Sequence, residues 1–140
     1  MSDAPTPTQT ASGDAVHDDS VHIVVPLRAE HAATLRVVVS SLGSDHGLNV
    51  DEIDDLKLAV SEIFTLLIDD AEDVGASRAH VRYSAQHGEI SIELSRGLPG
   101  DEIELDALAA TILSSVVDEY NVDEAGVSLI KRASRRRDLR

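Results

Sequence analysis

The stretch DDLKLAVSEIFTLLIDDA, residues 54–71, carries apolar side chains at Leu56, Ala59, Val60, Ile63, Phe64 and Leu67. That is the three-and-four recurrence of one helix face. Upstream, Ile53 extends the stripe, Asn49 or Asp51 offers an N-cap, and acids crowd the first turn, where the helix dipole favours negative charge. An apolar stripe of this length has to lie against a sheet or another helix. One acid, Glu62, stands in the middle of the helix, with Thr65 three and Leu66 four residues later. A mid-helix glutamate is either a solvated polar position or a functional carboxylate, and the helix pattern alone leaves both open.

Working outward, VHIVVPLRA (21–29) is a β-branched run that predicts a strand, with Pro26 suiting its end or a sheet edge. Leu35, Val38, Val39 and Leu42 recur at helical spacing, and Gly43 supplies a stop signal. Downstream, Val81, Tyr83 and Ala85, a turn at His87-Gly88, then Ile90, Ile92 and Leu94 form a hairpin pattern. After a loop marked by Gly97, Pro99 and Gly100, the series Leu105, Leu108, Ala109, Ile112, Leu113, Val116, Val117 and Tyr120 predicts a third helix, and GVSLIKRA closes as a strand. The expected order is strand, helix, helix, strand, strand, helix, strand. This is an α/β (α+β) two-layer sandwich, helices on one face of a mostly antiparallel sheet.

The chain has 140 residues and no cysteine, enough for one core and incompatible with disulfide or thiolate chemistry. Residues 1–20 are rich in Pro, Ser, Thr, Ala and Asp and are expected to be disordered, leaving a domain at 21–133 and a basic tail at 134–140. Neither a basic, apolar leader nor a membrane-spanning run is present, so a cytoplasmic location and no membrane contact are expected. Six of the twelve Lys and Arg fall in the last ten residues, and the remaining 130 residues hold six basic against twenty-five acidic side chains, a net of −19. A body of that sign repels nucleic acid and speeds encounter with basic protein surfaces, although acidity also serves solubility alone. The basic tail reads as a solvated terminus, with a nucleic-acid arm as the alternative. The six histidines lack the paired helical spacing of a metal site, so no metal is assigned from them.

In this order, and above all in LRVVVSSL followed by LNVDEIDDLKLAVSEIFTLLIDDA, residues 22 to 133 resemble the RsbW-type anti-sigma factors, serine protein kinases of the GHKL or histidine kinase-like (Bergerat-fold) ATPase superfamily. The resemblance implies that Glu62 is the general base of any catalysis and that Thr65 and Leu66 occupy the N-box, where the family keeps an asparagine at the position of Leu66 to hold Mg²⁺ on ATP. It places Ser95 where an aspartate would read adenine, with Gly97 following. It also implies a glycine-rich phosphate loop where this chain has DEIELDALAATIL, four acids in the first six residues and no glycine. Leucine offers magnesium no oxygen, serine lacks the aspartate's charge, and acids repel a triphosphate.

ATP and Mg²⁺ are therefore expected to be lost or weakly used. The resemblance further implies an alternative sigma factor and an anti-anti-sigma protein of the STAS fold as partners, a homodimer, and Arg36 as a partner-binding residue. Three functions follow as alternatives. They are sequestration of a sigma factor without catalysis, an active protein serine kinase using substitute ligands such as Asp69 or Asp70, and a dimeric scaffold of unrelated task. The substitutes lie roughly 10–12 Å along the helix from Glu62, too far to replace the asparagine directly.

Overall fold

The computed structural model describes residues 19–69, 71, 78–86, 88–97 and 103–134. The segment 1–18, Asp70, His87, Pro99, Gly100 and the tail 135–140, on which several of the expectations above fall, lie outside the described residues.

Strand β1 (Asp19–Pro26) begins two residues before the expected domain start and ends at its proline. A 3-10 turn (Ala29–His31) leads into α1 (Ala32–Asp45), which is followed by α2 (Val50–Asp69), β2 (Arg78–Gln86), β3 (Glu89–Ser95), α3 (Ala107–Val116), β4 (Glu119–Asp123) and β5 (Gly126–Arg132). The five strands form one antiparallel sheet in the order β1-β2-β3-β5-β4. Val81, Tyr83, Ala85, Ile90, Ile92, Leu94, Val127 and Leu129 point to the helix side and are buried, as the alternation requires. The opposite side carries Ser84, Ser91, Ser128 and an Arg82–Glu93 pair at 3.9 Å, the polar face of a sheet covered on one side only.

Three sequence expectations are corrected. The third helix stops at Val116: Val117 is extended (φ −122, ψ 160), and Tyr120 lies in β4. The three-and-four spacing continues through Tyr120, but a hairpin with β5 around Glu124-Ala125 competes for the same residues and wins. Leu105 likewise precedes α3, whose N-cap is Asp106, accepting from the Ala109 amide at 2.8 Å.

The glycine that ends α1 is Gly47 (φ 92), not Gly43. The Leu48 amide reaches back to the Gly43 carbonyl at 3.0 Å, the closing bond of a Schellman turn, and Leu48 is buried. Gly43 lies inside α1, where a Cβ would meet Ile53 of α2 at 2.8 Å, so its task is close helix packing.

Helix α2 is capped by Asn49, whose Oδ1 accepts from the Glu52 amide while Glu52 Oε1 accepts from the Asn49 amide, both at 2.8 Å. This is a reciprocal capping box. Beneath the helices the buried Tyr83 hydroxyl donates to the Leu35 carbonyl at 3.1 Å and ties α1 to β2. Burial pushes this phenol well above the ordinary tyrosine range. Among the described residues no helix is long and apolar enough to cross a membrane.

Candidate functional site

Helix α2 has two flanks with different neighbours. The 3.6-residue period places Asp55, Glu62 and Leu66 in one row. Asp55 identifies what that row faces: its Oδ2 accepts from Lys131 Nζ at 3.2 Å, and Lys131 also donates to the Val116 carbonyl at 2.7 Å. The row therefore looks toward α3 and β5. On the other flank, Ser61 Oγ accepts from Arg36 Nη1 of α1 at 3.1 Å. Glu62 of α2 and Arg36 of α1 thus stand on opposite flanks of α2.

Glu62 is half-buried and, among the described residues, has no hydrogen-bond or ion-pair partner. Leu66, on the same flank, is partly buried and packs against the core. A carboxylate beside a hydrocarbon side chain makes no oxygen cage, and magnesium demands one. Thr65 is exposed on the outer side of α2. Among the described residues no group of three or more His, Asp or Glu is placed to hold a metal ion.

The end of β3 carries Ser95 and Gly97, the positions that the resemblance assigns to adenine reading. A group that reads a ligand lying between sheet and helices has to project to the helix side, in phase with Ile90, Ile92 and Leu94. Ser95 is out of phase: it pairs with His80, faces the outer side, and its Oγ accepts from the Gly97 amide at 3.3 Å. The next residue, Arg96, is buried, and its Nη1 donates to the Leu67 carbonyl in the last turn of α2 at 2.9 Å. A guanidinium offers five donors and no acceptor, so it cannot read the adenine amino group, itself a donor.

Gly97 has a separate explanation. Its φ of 74° suits glycine, and a Cβ there would lie 2.8 Å from the His80 ring, which sits beside His22 with ring centroids 5.9 Å apart. Among the described residues, Leu66 beside Glu62 adds no oxygen ligand for magnesium, and Arg96 at the end of β3 adds no acceptor.

Of the residues singled out in the sequence, Glu62 and Leu66 come together. Ser95 and Gly97 belong to the outer side of the sheet end, and Arg36 lies on the far flank of α2, half-buried and hydrogen-bonded instead of projecting freely. Two residues escaped the sequence reading. Arg96 is the next helix-side position once the Ile90–Ile92–Leu94 alternation is continued, and Glu52 is the third residue of a capping box opened by Asn49.

No protein-family model matches the chain. Over 59 residues, 42% of the chain, it is 32% identical to the serine-protein kinase RsbW of Halalkalibacterium halodurans, of which that stretch covers 36%. The same identity over 59 residues relates it to the serine-protein kinases RsbW of Bacillus thuringiensis and Bacillus cereus, 37% of each being covered. The matched stretch thus spans little more than a third of these relatives. In three dimensions, 82% of the chain superposes on 32% of the chain comprising the RsbU and RsbW domains of Rv1364c from Mycobacterium tuberculosis, with a TM-score of 0.59 and 16% identity. That likeness is one of fold.

Proposed function

We propose that this protein is an anti-sigma-factor-like regulator that sequesters an alternative sigma factor in a partner-switching system, with ATP use lost or much weakened. The partial similarity to RsbW kinases supports the partner-switching setting. The observation that carries the loss of nucleotide use is the pair Leu66 and Arg96, a hydrocarbon beside Glu62 and a donor-only side chain at the helix-side end of β3. Neither supplies the acceptor that a metal or an adenine requires.

An acidic body favours a basic face on the partner. Arg36, steadied by Ser61, belongs to the contact surface on α1, and an anti-anti-sigma protein of the STAS fold competes for it. We further propose that the chain works as a homodimer in the cytoplasm without contacting nucleic acid. Affinity capture from the native cell tests the reading: a sigma factor or a STAS-domain protein is expected among the captured partners, and recovery of neither removes the proposal.

A second reading, an active ATP-dependent protein serine kinase acting on the STAS protein, is favoured by Glu62, a half-buried carboxylate without a partner among the described residues. Titration with MgATP separates the two. A ligand at 100 times its dissociation constant adds about 2.7 kcal/mol of stability, so a flat thermal-shift response eliminates the kinase.

A further inference from the structure

We infer that Arg96 is an internal strap, a guanidinium that fastens the last turn of α2 to the end of β3 and fixes that turn without any nucleotide. Carbonyls in the last turn of a helix lack intrahelical partners, and the Leu67 carbonyl is one of them. The neighbouring Ile68 carbonyl is satisfied by the Ala71 amide at 3.2 Å, a tightened turn of the kind that ends many helices. The Leu67 carbonyl instead receives Nη1 of Arg96, 29 residues later, at 2.9 Å. A cation at this end also opposes the negative pole of the helix, which Asp69 otherwise reinforces.

Three features make the contact more than a surface hydrogen bond. Arg96 is 8% exposed, so the bond forms where water competes weakly. The backbone approaching it is set on one side by β3 and on the other by Gly97, whose positive φ turns the chain over His80. Finally, the guanidinium stands on the helix side of the sheet, in the position from which an acceptor would have to read a purine. The strap therefore occupies the approach to α2 and holds the helix end in one arrangement. Only the statement of what the strap replaces rests on the function proposed above; its mechanical role does not.

The consequence is that α2 does not respond to nucleotide. Amide hydrogen exchange, followed by mass spectrometry on the full chain with and without millimolar MgATP or MgADP, tests this. In the wild-type protein the amides of Leu67, Ile68, Asp69 and Ala71 are expected to exchange at the same rate in all three conditions. Slowing of these amides by either nucleotide overturns the inference.

In Arg96→Met the same amides are expected to exchange about tenfold faster, as the charge-assisted bond to the Leu67 carbonyl is lost, while amides of β1 and β2 keep their rates. Arg96→Lys, which retains a donor, is expected to fall between the two. Wild-type rates in Arg96→Met also overturn the inference, and if that variant does not fold, the lysine variant and the nucleotide comparison decide. A failed capture of sigma factor or STAS protein removes the proposed function and leaves these exchange outcomes untouched.

Discussion

The carboxylate of Glu52 joins the start of α2 to the end of β5: its Oε2 accepts from the Ser134 amide at 2.8 Å across 82 residues, while its Oε1 closes the capping box on Asn49. One buried side chain thereby satisfies two backbone donors and fixes where the described chain leaves the sheet. Glu52→Ala is expected to cost about 2–4 kcal/mol, because two part-buried amides lose their acceptor together with the cap. Asp51→Ala, at the exposed neighbouring position, is expected to stay within about 0.5 kcal/mol. Urea denaturation of both variants checks the contrast, and equal losses contradict the assigned role.

Removing the Tyr83 hydroxyl should loosen α1. Tyr83→Phe is expected to cost about 1 kcal/mol, one buried hydrogen bond to the Leu35 carbonyl. It should also alter the alkaline limb of stability. Desolvation raises the folded phenol's pKa, so its contribution is fully present below the ordinary value of about 10 and is lost as pH rises above it, where the unfolded chain ionises first. Wild-type stability should therefore fall more steeply above about pH 10 than that of Tyr83→Phe. Denaturation series at neutral and alkaline pH measure the difference.

Gly97→Ala combines a positive φ with a Cβ 2.8 Å from the His80 ring and is expected to cost about 1–3 kcal/mol. Shortening the obstacle should recover the steric part alone. In a double-mutant cycle with His80→Ala, an interaction energy of roughly 0.5 kcal/mol or more is expected; strict additivity argues against the contact.

Leu66→Asn introduces an amide one turn from Glu62, yet under the proposed function no gain of nucleotide response is expected, since Arg96 still lies at the helix-side end of β3. The substitution should cost about 1 kcal/mol, because Leu66 is half-buried against the core rim. Thermal shift with MgATP reads both outcomes, and stabilisation by MgATP would show that one side chain alone barred the metal.

How far the chain could be read in advance depended on whether a local signal had a rival. The α2 stripe and the Val81–Tyr83–Ala85 and Ile90–Ile92–Leu94 alternations had none, and all of those strand residues are fully buried. Tyr120 had one, since its position prolongs the α3 period while Tyr120 itself and Val122 suit a strand, and only pairing with β5 decides between them. Gly43 and Gly47 compete as helix stops four residues apart, and the decision needs the packing partner Ile53, which is remote in sequence. At the candidate site Glu62 and Leu66 share a flank, as their spacing implies. Arg96 was overlooked because a motif defined by Ser95 and Gly97 skips the residue between them. The side of the sheet on which each residue stands follows from strand phase, which motif spacing ignores.

Gly97 is held in place by its immediate surroundings. Its absence of a side chain is demanded by an imidazole and a left-handed backbone, both of which persist whether or not any purine ever visits. The glycine is therefore accounted for by local geometry, and a motif match that includes it carries no information about nucleotide.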